Sequence, residues 1–591
     1  MEPQTLLQLL STGYYRIPAS QRGYAWKEVH ARDLLSDLQR ARELQLSHYL
    51  GSIILRRDEG GSLKSEVEGK GAAGTINCHY IEDGQQRLTT CLLLLLAIYH
   101  RVCELDMPAP KTQLEAWLYL TRNHSPDKDL PRLANDQPDL DGFTAAIFAR
   151  NEWKGRTSPP MNRMSKVKKC FDAELADCEK DELGQFMDFL TGRVTFNVAT
   201  LSDAYEKALV FDTINSRGVA LNAFDRVKNY AMYVDRLHEF GEDPAQSWYH
   251  CIELFDRAKL GESVDEDRFI AECLSVELGE NVKPAKVHDK FIEWSGGLGE
   301  DDTGKWSRHI KLWRQLAPGY AQCSSGEYRR SKLDSNPSQG EKCLLTALDR
   351  IENLDYTGIV RKLIAAAMIE NSEDAVAKLA DACEKYLFRY HAVLGKRTDA
   401  NQAWIAELAH RVANGTSLED AVKKVRKMAM DFASLDRVLG ELGDGKAKYN
   451  SARGVKGWDR IYYFLYEYES AEHNKGMPGL VWQAGKSQEK TQEHIVPQQP
   501  GEEWPDWGED SAHHAFVHRL GNLVLTTENS KLGNKGWLEK KELYEREGAM
   551  QRERELIRYA DGDSFTSNSI LKREEAMIEW AKMRWRFEGE E

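Results

Sequence analysis

The stretch Glu493-His494-Ile495-Val496-Pro497-Gln498 decides how the C-terminal region reads, because it ends a short extended run on a histidine and closes it with proline. It is followed by His518-Arg519-Leu520-Gly521-Asn522-Leu523-Val524-Leu525-Thr526-Thr527-Glu528-Asn529-Ser530, then by Gly533-Asn534-Lys535 and Lys540. Two apolar runs divided by polar turns predict two short strands, and the Asn-rich stretch after the second predicts the start of a helix. Successive side chains of a strand point to opposite faces, so Glu493 and His494 are expected on opposite sides of theirs.

These residue types suit the hydrolysis of a phosphodiester. That reaction needs a base for water, a divalent cation on the phosphate and leaving oxygen, and a group that fixes the base's tautomer. His494 is the candidate base. Asn522 can orient its imidazole through the side-chain oxygen, and Asn529 or Asn534 can give a neutral oxygen to Mg²⁺, a hard cation that favours oxygen ligands. Glu493 serves the same cation only if a bulge or twist turns its carboxylate back. The bland alternative makes His494 a core histidine and the asparagines turn residues. His513, His514 and His518 are a separate group able to bind a transition metal, although their neighbours lack the spacing of a zinc motif.

Nearer the N-terminus, Ile17-Pro18-Ala19-Ser20-Gln21-Arg22-Gly23-Tyr24-Ala25-Trp26 reads as a loop feeding a helix marked by Val29, Leu34, Leu35 and Leu38. Gly51 to Arg57 and Ile76 to Glu82 read as strands able to pair as a hairpin across the Gly, Ser and Lys-rich stretch from Asp58 to Thr75. Asp83-Gly84-Gln85-Gln86-Arg87 then leads into an apolar helix from about Leu88. A polar glycine turn at a helix start exposes backbone N–H groups in front of the helix dipole and suits a phosphate. A second polar turn, Asn215-Ser216-Arg217-Gly218, leads through Asp225 to Lys228 and Asn229. The spacing of Leu344, Leu348 and Ile351, and of Ile461, Phe464, Leu465 and Tyr468, predicts helices through residues 235–470.

The C-terminal strings resemble the ββα-metal, or His-Me finger, HNH nucleases, including the nuclease subdomain of RNA-guided DNA endonucleases, where a His-Ile-Val-Pro-Gln string also carries the base. Members often have Asp where this chain has Glu493. Taken together and in order, IPxxQRxYxW, DGQQR, FxxxNxRGxxLxxxDxxKN and EHIVPQ resemble the GmrSD family of modification-dependent restriction endonucleases, and equally its relative SspE, which senses phosphorothioate DNA. Tyr386-Leu387-Phe388-Arg389 also matches a helix common there. The resemblance implies an α+β multidomain chain. Its parts would be a ParB/sulfiredoxin-like α/β domain over residues 1–234, a mostly helical coupling region over 235–474 and an HNH domain over 475–591.

It further implies that the N-terminal domain binds and hydrolyses GTP or another nucleoside triphosphate. Asp83, Gly84, Gln85, Gln86 and Arg87 would lie at the phosphates, with Asn215, Arg217 and Lys228 nearby. Gln21, Arg22, Tyr24 and Trp26 offer planar donors and aromatics to a base or to DNA; an aromatic anchor for the loop is the plainer reading. Modified double-stranded DNA is the expected substrate, in a cytoplasmic anti-phage setting, with a homo-oligomer left open. Two alternatives from other classes are a nucleotide-switched DNA-binding protein with an inactive nuclease part and an RNA-cutting toxin.

The bulk properties of the 591 residues set bounds on this reading. Hydrophobic content of 41%, charged content of 29% and ten cysteines without a CxxC pair describe a folded chain in a reducing compartment. The apolar run Leu92 to Ile98 is too short to span a bilayer. A net charge of -14 runs against a general nucleic-acid footprint. Basic clusters at Arg329, Arg330 and Lys332, at Lys396 and Arg397, and at Lys423, Lys424, Arg426 and Lys427 are read first as solvated helix faces.

Overall fold

A continuous apolar run, Ile53-Ile54-Leu55, buried on both faces of its strand, builds the centre of a mixed sheet near the N-terminus. The strands are β1 (Glu2–Thr5), β2 (Gly13–Ile17), β3 (His48–Arg57), β4 (Asn77–Asp83), β5 (Tyr119–Leu120), β6 (Leu130–Pro131), β7 (Leu133–Asn135) and β8 (Val194–Leu201). Six of them run in the order β1-β8-β3-β4-β2-β7, and β5 pairs with β6 separately. β3 and β4 are antiparallel neighbours, as the sequence pattern predicts. β8 lies parallel to β3 and antiparallel to β1, while β2 lies parallel to both β4 and β7.

The computed structural model describes residues 2–18, 21, 23–58, 77–120, 130–136, 138–149, 153–155, 157–201, 222–260, 264–333, 336–399, 402–443, 445–449, 460–472, 480–483, 491–507, 512–546, 548 and 550–590. Arg22, Asn215 and Arg217 lie outside the described residues, as does nearly all of the stretch between β3 and β4. The chain divides into two compact units. One is Met1–Arg257 with Gly261–Ala271 and Lys283–Arg314; the other is Ala258–Leu260 with Glu272–Val282 and Gln315–Glu591.

In the first unit the helix Gln85–Glu104 is the core of the core. Leu88 and every residue from Leu92 to Ile98 are buried, packed with Leu34 and Leu38 of the helix Glu28–Glu43, Phe171 of Pro159–Leu175 and Leu190 of Lys180–Arg193. Each such leucine contributes about 1.5–3 kcal/mol of burial, which is why so apolar a helix sits inside a mixed domain. Among the described residues no helix is long and apolar enough to cross a membrane.

The second unit is largely helical. Leu344, Leu348 and Ile351 are buried on the helix Gln339–Asn353, which packs against Glu373–Leu387. The latter helix continues into a π-helical turn, Phe388–Val393. There Arg389 is fully buried, donating from both Nη atoms to Glu590 (2.8 and 2.5 Å) and from Nε to the Trp585 carbonyl (2.8 Å). Phe388 stacks on Trp585 at 3.6 Å, and Arg584 pairs with Glu384 and Glu467 at 3.1 Å each. These contacts anchor the C-terminal helix Ser567–Trp585, which carries the support for the site described next. Of the basic clusters, Lys423 and Lys427 pair with Glu419 and Asp431 along a solvated helix face, but Arg329 is buried between Asp349 and Glu352, and Lys396 and Arg397 lie in a loop, where Arg397 pairs with Asp399.

Candidate active site

Strands β9 (Gln492–His494) and β10 (Leu523–Leu525) pair antiparallel, with His494 opposite Leu523 and Glu493 opposite Val524. A four-residue helix, Asn529–Leu532, follows β10. The loop between the strands is held from beneath. Arg573 of the C-terminal helix donates to the carbonyls of Gly521 and Leu523, both at 2.8 Å. Gly521 is required by close approach, since a Cβ there would stand 2.1 Å from the Ile570 carbonyl oxygen.

Asn522 has no exposed surface and is spent entirely on backbone. Its Oδ1 accepts from Val496 N (2.9 Å), and its Nδ2 donates to the carbonyls of Val496 (3.0 Å) and Val517 (2.8 Å). The expectation that its oxygen orients the His494 ring is therefore corrected: the amide rivets the loop that positions β9. A buried amide with three satisfied bonds is costly to disturb.

The His494 ring is instead met by residues from three other places. Its Nε2 is 3.3 Å from Nδ1 of His518, and its Nδ1 is 3.4 Å from Nε2 of Gln498. The Tyr449 ring packs edge-on against it at 4.8 Å and stacks on His518 at 6.0 Å. Burial, with His518, Lys540 and His513, pushes the His494 imidazole pKa down to about 3, so the ring is neutral at ordinary pH. Tyr449 and Lys540 carry no role in the sequence reading. Tyr449 lies some distance upstream of the motif and reaches it through a backbone bond from its N to the His518 carbonyl (2.9 Å).

Glu493 faces away from His494, as strand alternation requires. Its carboxylate is 2.5 Å from Nζ of the fully buried Lys540, which also donates to the carbonyls of His494 and Ile495 at 3.0 Å each. Burial pushes the Glu493 carboxyl up and the Lys540 ammonium down, and their mutual attraction opposes both shifts. Asn529 donates from Nδ2 to the Gln492 carbonyl (3.0 Å), which ties the short helix to β9. Asn534 lies exposed in the turn beyond it. His513 is buried with Nε2 donating to the Pro497 carbonyl (2.9 Å), whereas His514 is exposed. Among the described residues no three His, Cys, Asp or Glu side chains gather as a metal-ligand cluster. The oxygen donors Glu493, Asn529 and Asn534 suit a hard cation in kind, but Glu493 already holds an ammonium.

The N-terminal strings converge as well. Gly84, with φ of +93°, caps the helix Gln85–Glu104 in a left-handed conformation, and a Cβ there would come within 2.9 Å of Ile53. Contact with β3 and the backbone angle account for this glycine. Gln86 accepts from Ala25 N (2.8 Å) through Oε1 and donates to the Gly23 carbonyl (3.3 Å). Gln85 contacts the Gln21 side chain at 3.4 Å, and Gln21 donates to the Glu82 carbonyl at 2.7 Å. Tyr24 is buried against Thr90 (2.7 Å), and Trp26 packs on the rim of the core. The amides of Gln85 and Gln86 thus hold the 21–26 loop. Arg87, paired with Asp83 at 3.4 Å, keeps partial exposure. Lys228 is buried 3.6 Å from Asp225, its Nζ over the Trp248 ring at 4.0 Å.

Both constellations fall within stretches that define the chain as a restriction endonuclease. Residues 4–232 match the model of the GmrSD restriction endonuclease N-terminal domain, and residues 444–580 match that of the GmrSD restriction endonucleases C-terminal domain. The two matches cover more than half of the chain in the order N-terminal then C-terminal, and the chain belongs to this family of modification-dependent restriction enzymes. No curated protein matches it.

Proposed function

We propose that the protein is a nucleotide-regulated endonuclease that cuts or nicks modified DNA, with His494 as the base of a ββα-metal (HNH) centre. The observation that carries this reading is a buried imidazole at the end of β9, one ring nitrogen bonded to His518 and the other touched only weakly by Gln498. A neutral imidazole can take a proton from water as the water attacks phosphorus. A divalent cation bound here would offset the negative charge that develops on the scissile phosphate. Asn529 and Asn534 would hold it through their amide oxygens, whereas Glu493, on the opposite face of β9 from His494 and paired with Lys540, would act through that pair. Asn522 acts by holding the loop, and Lys540 by fixing the carbonyls of His494 and Ile495.

At the other end of the chain, we assign residues 1–234 to a ParB/sulfiredoxin-like domain that binds GTP or another nucleoside triphosphate. Arg87, which Asp83 holds at the turn, and the first backbone N–H groups of the helix Gln85–Glu104 would offer charged and bidentate contacts to phosphate. Because Gln85 and Gln86 brace the 21–26 loop, nucleotide and DNA would be sensed by one connected structure. Residues 235–474 couple that domain to the nuclease region 475–591 in a cytoplasmic enzyme. Such regulation requires that nucleotide or DNA bind two conformations with unequal affinity. The test is a cleavage panel of plasmids bearing phosphorothioate, modified cytosine or neither, with Mg²⁺ and with or without GTP or ATP. Cutting confined to one modified plasmid is the expected result. Equal cutting of all of them removes sensing, and cutting of RNA alone substitutes a ribonuclease.

A further inference from the structure

We infer that His518 is the positioning residue that holds His494 in the tautomer protonated on Nε2, leaving Nδ1 as the nitrogen that takes the proton of water. The inference rests on the reading of His494 as base. Two hydrogen-bond patterns satisfy the contacts around the ring. In the first, His494 Nε2–H donates to His518 Nδ1 across 3.3 Å, and Gln498 Nε2–H donates to His494 Nδ1 across 3.4 Å. In the second both bonds reverse: His518 Nδ1–H donates to His494 Nε2, and His494 Nδ1–H donates to the Gln498 amide turned over. The second pattern spends the only lone pair of the ring on His518, so no basic nitrogen remains. The first keeps that lone pair at Nδ1, where the Gln498 contact is at the long end for a hydrogen bond and yields to a water at little cost.

His518 is itself held for this task. Its carbonyl accepts from Tyr449 N at 2.9 Å, and the Tyr449 ring stacks on its imidazole while packing edge-on against His494. The next residue, Arg519, is clamped to Glu574 at 2.5 Å on the C-terminal helix. One aromatic wall therefore contacts both imidazoles, and the segment carrying His518 is fixed on two sides. Asn522 and Gln498 cannot replace it: the first is consumed by backbone, and the second sits on the other ring nitrogen.

The test uses the full-length protein with ¹⁵N-labelled histidine and cleavage of whichever plasmid the wild type cuts fastest. Long-range ¹H–¹⁵N spectra are expected to show His494 with an unprotonated Nδ1 and a protonated Nε2 in the wild type, and a mixture of tautomers in His518→Ala. That variant should lose about 100-fold in kcat with KM for DNA little changed, the scale of a misaligned general base. His518→Asn, whose Oδ1 can accept from Nε2–H, should recover most of the loss. A protonated Nδ1 in the wild type overturns the inference, as does an unchanged kcat in His518→Ala, or an Asn variant no better than the Ala variant. If His518→Ala does not fold, the wild-type spectrum and the Asn variant decide. His494→Ala separates the two claims. If it cuts normally, the base assignment falls; if it is inactive while His518→Ala keeps its kcat, only the role of His518 falls.

Discussion

The turn at Gly84 and the strand pair at His494 both carry polar motifs, and they use polarity in opposite ways. At the turn, the Gln85 amide meets that of Gln21, which is bonded to the Glu82 carbonyl, and the Gln86 amide is bonded to the backbone of Gly23 and Ala25. At the strand pair, Asn522 and Lys540 take over the backbone bonds and a ring nitrogen of His494 is left with one long contact. A motif is thus a mixture of rivets and reactive groups. Burial and partner lists separate them where residue type alone does not.

The largest effect is expected at the buried ion pair. Lys540→Met leaves Glu493 unpaired inside the protein and is expected to cost about 3–5 kcal/mol, read as a fall in the denaturant midpoint. Adding Glu493→Gln should return part of that loss. If the single variant is as stable as the wild type, Lys540 is no rivet. Next in size is Asn522→Ala, which strands the Val496 N–H and two carbonyls; about 3 kcal/mol is expected, again by denaturant unfolding. Retained stability with lost cleavage would return Asn522 to a direct role at the ring.

The smallest effect sharpens the other side. Gln86→Ala removes the acceptor of the Ala25 N–H and should destabilise by about 1 kcal/mol. Nucleotide affinity, followed by calorimetry, should then fall only through loosening of the 21–26 loop, and by less than in Arg87→Ala. A larger loss in Gln86→Ala than in Arg87→Ala would mark the amide as a direct phosphate contact.

Local pattern made much of this legible. The pairing of β3 with β4, the helix after Gly84 and the opposed faces of Glu493 and His494 all follow from periodicity and turn chemistry. What pattern does not carry is distant pairing. β8 enters the sheet between β1 and β3 although more than a hundred residues separate it from either, and no local signal encodes that register. For the same reason the meeting of Gln86 with Ala25 and of Tyr449 with His494 was not readable. The role of Asn522 was misassigned because its partners depend on how the loop closes over Val496 and Val517. Lys540 stands in the motif, yet its function appears only once a helix folds it beneath β9.

Cleavage turns on His494. The most direct measurement is single-turnover cleavage by His494→Ala of the plasmid the wild type cuts fastest, with Mg²⁺ and nucleotide present and DNA binding monitored in parallel. A loss of about 10²- to 10⁴-fold in rate with binding unchanged is the expected result. Cleavage at the wild-type rate would contradict it.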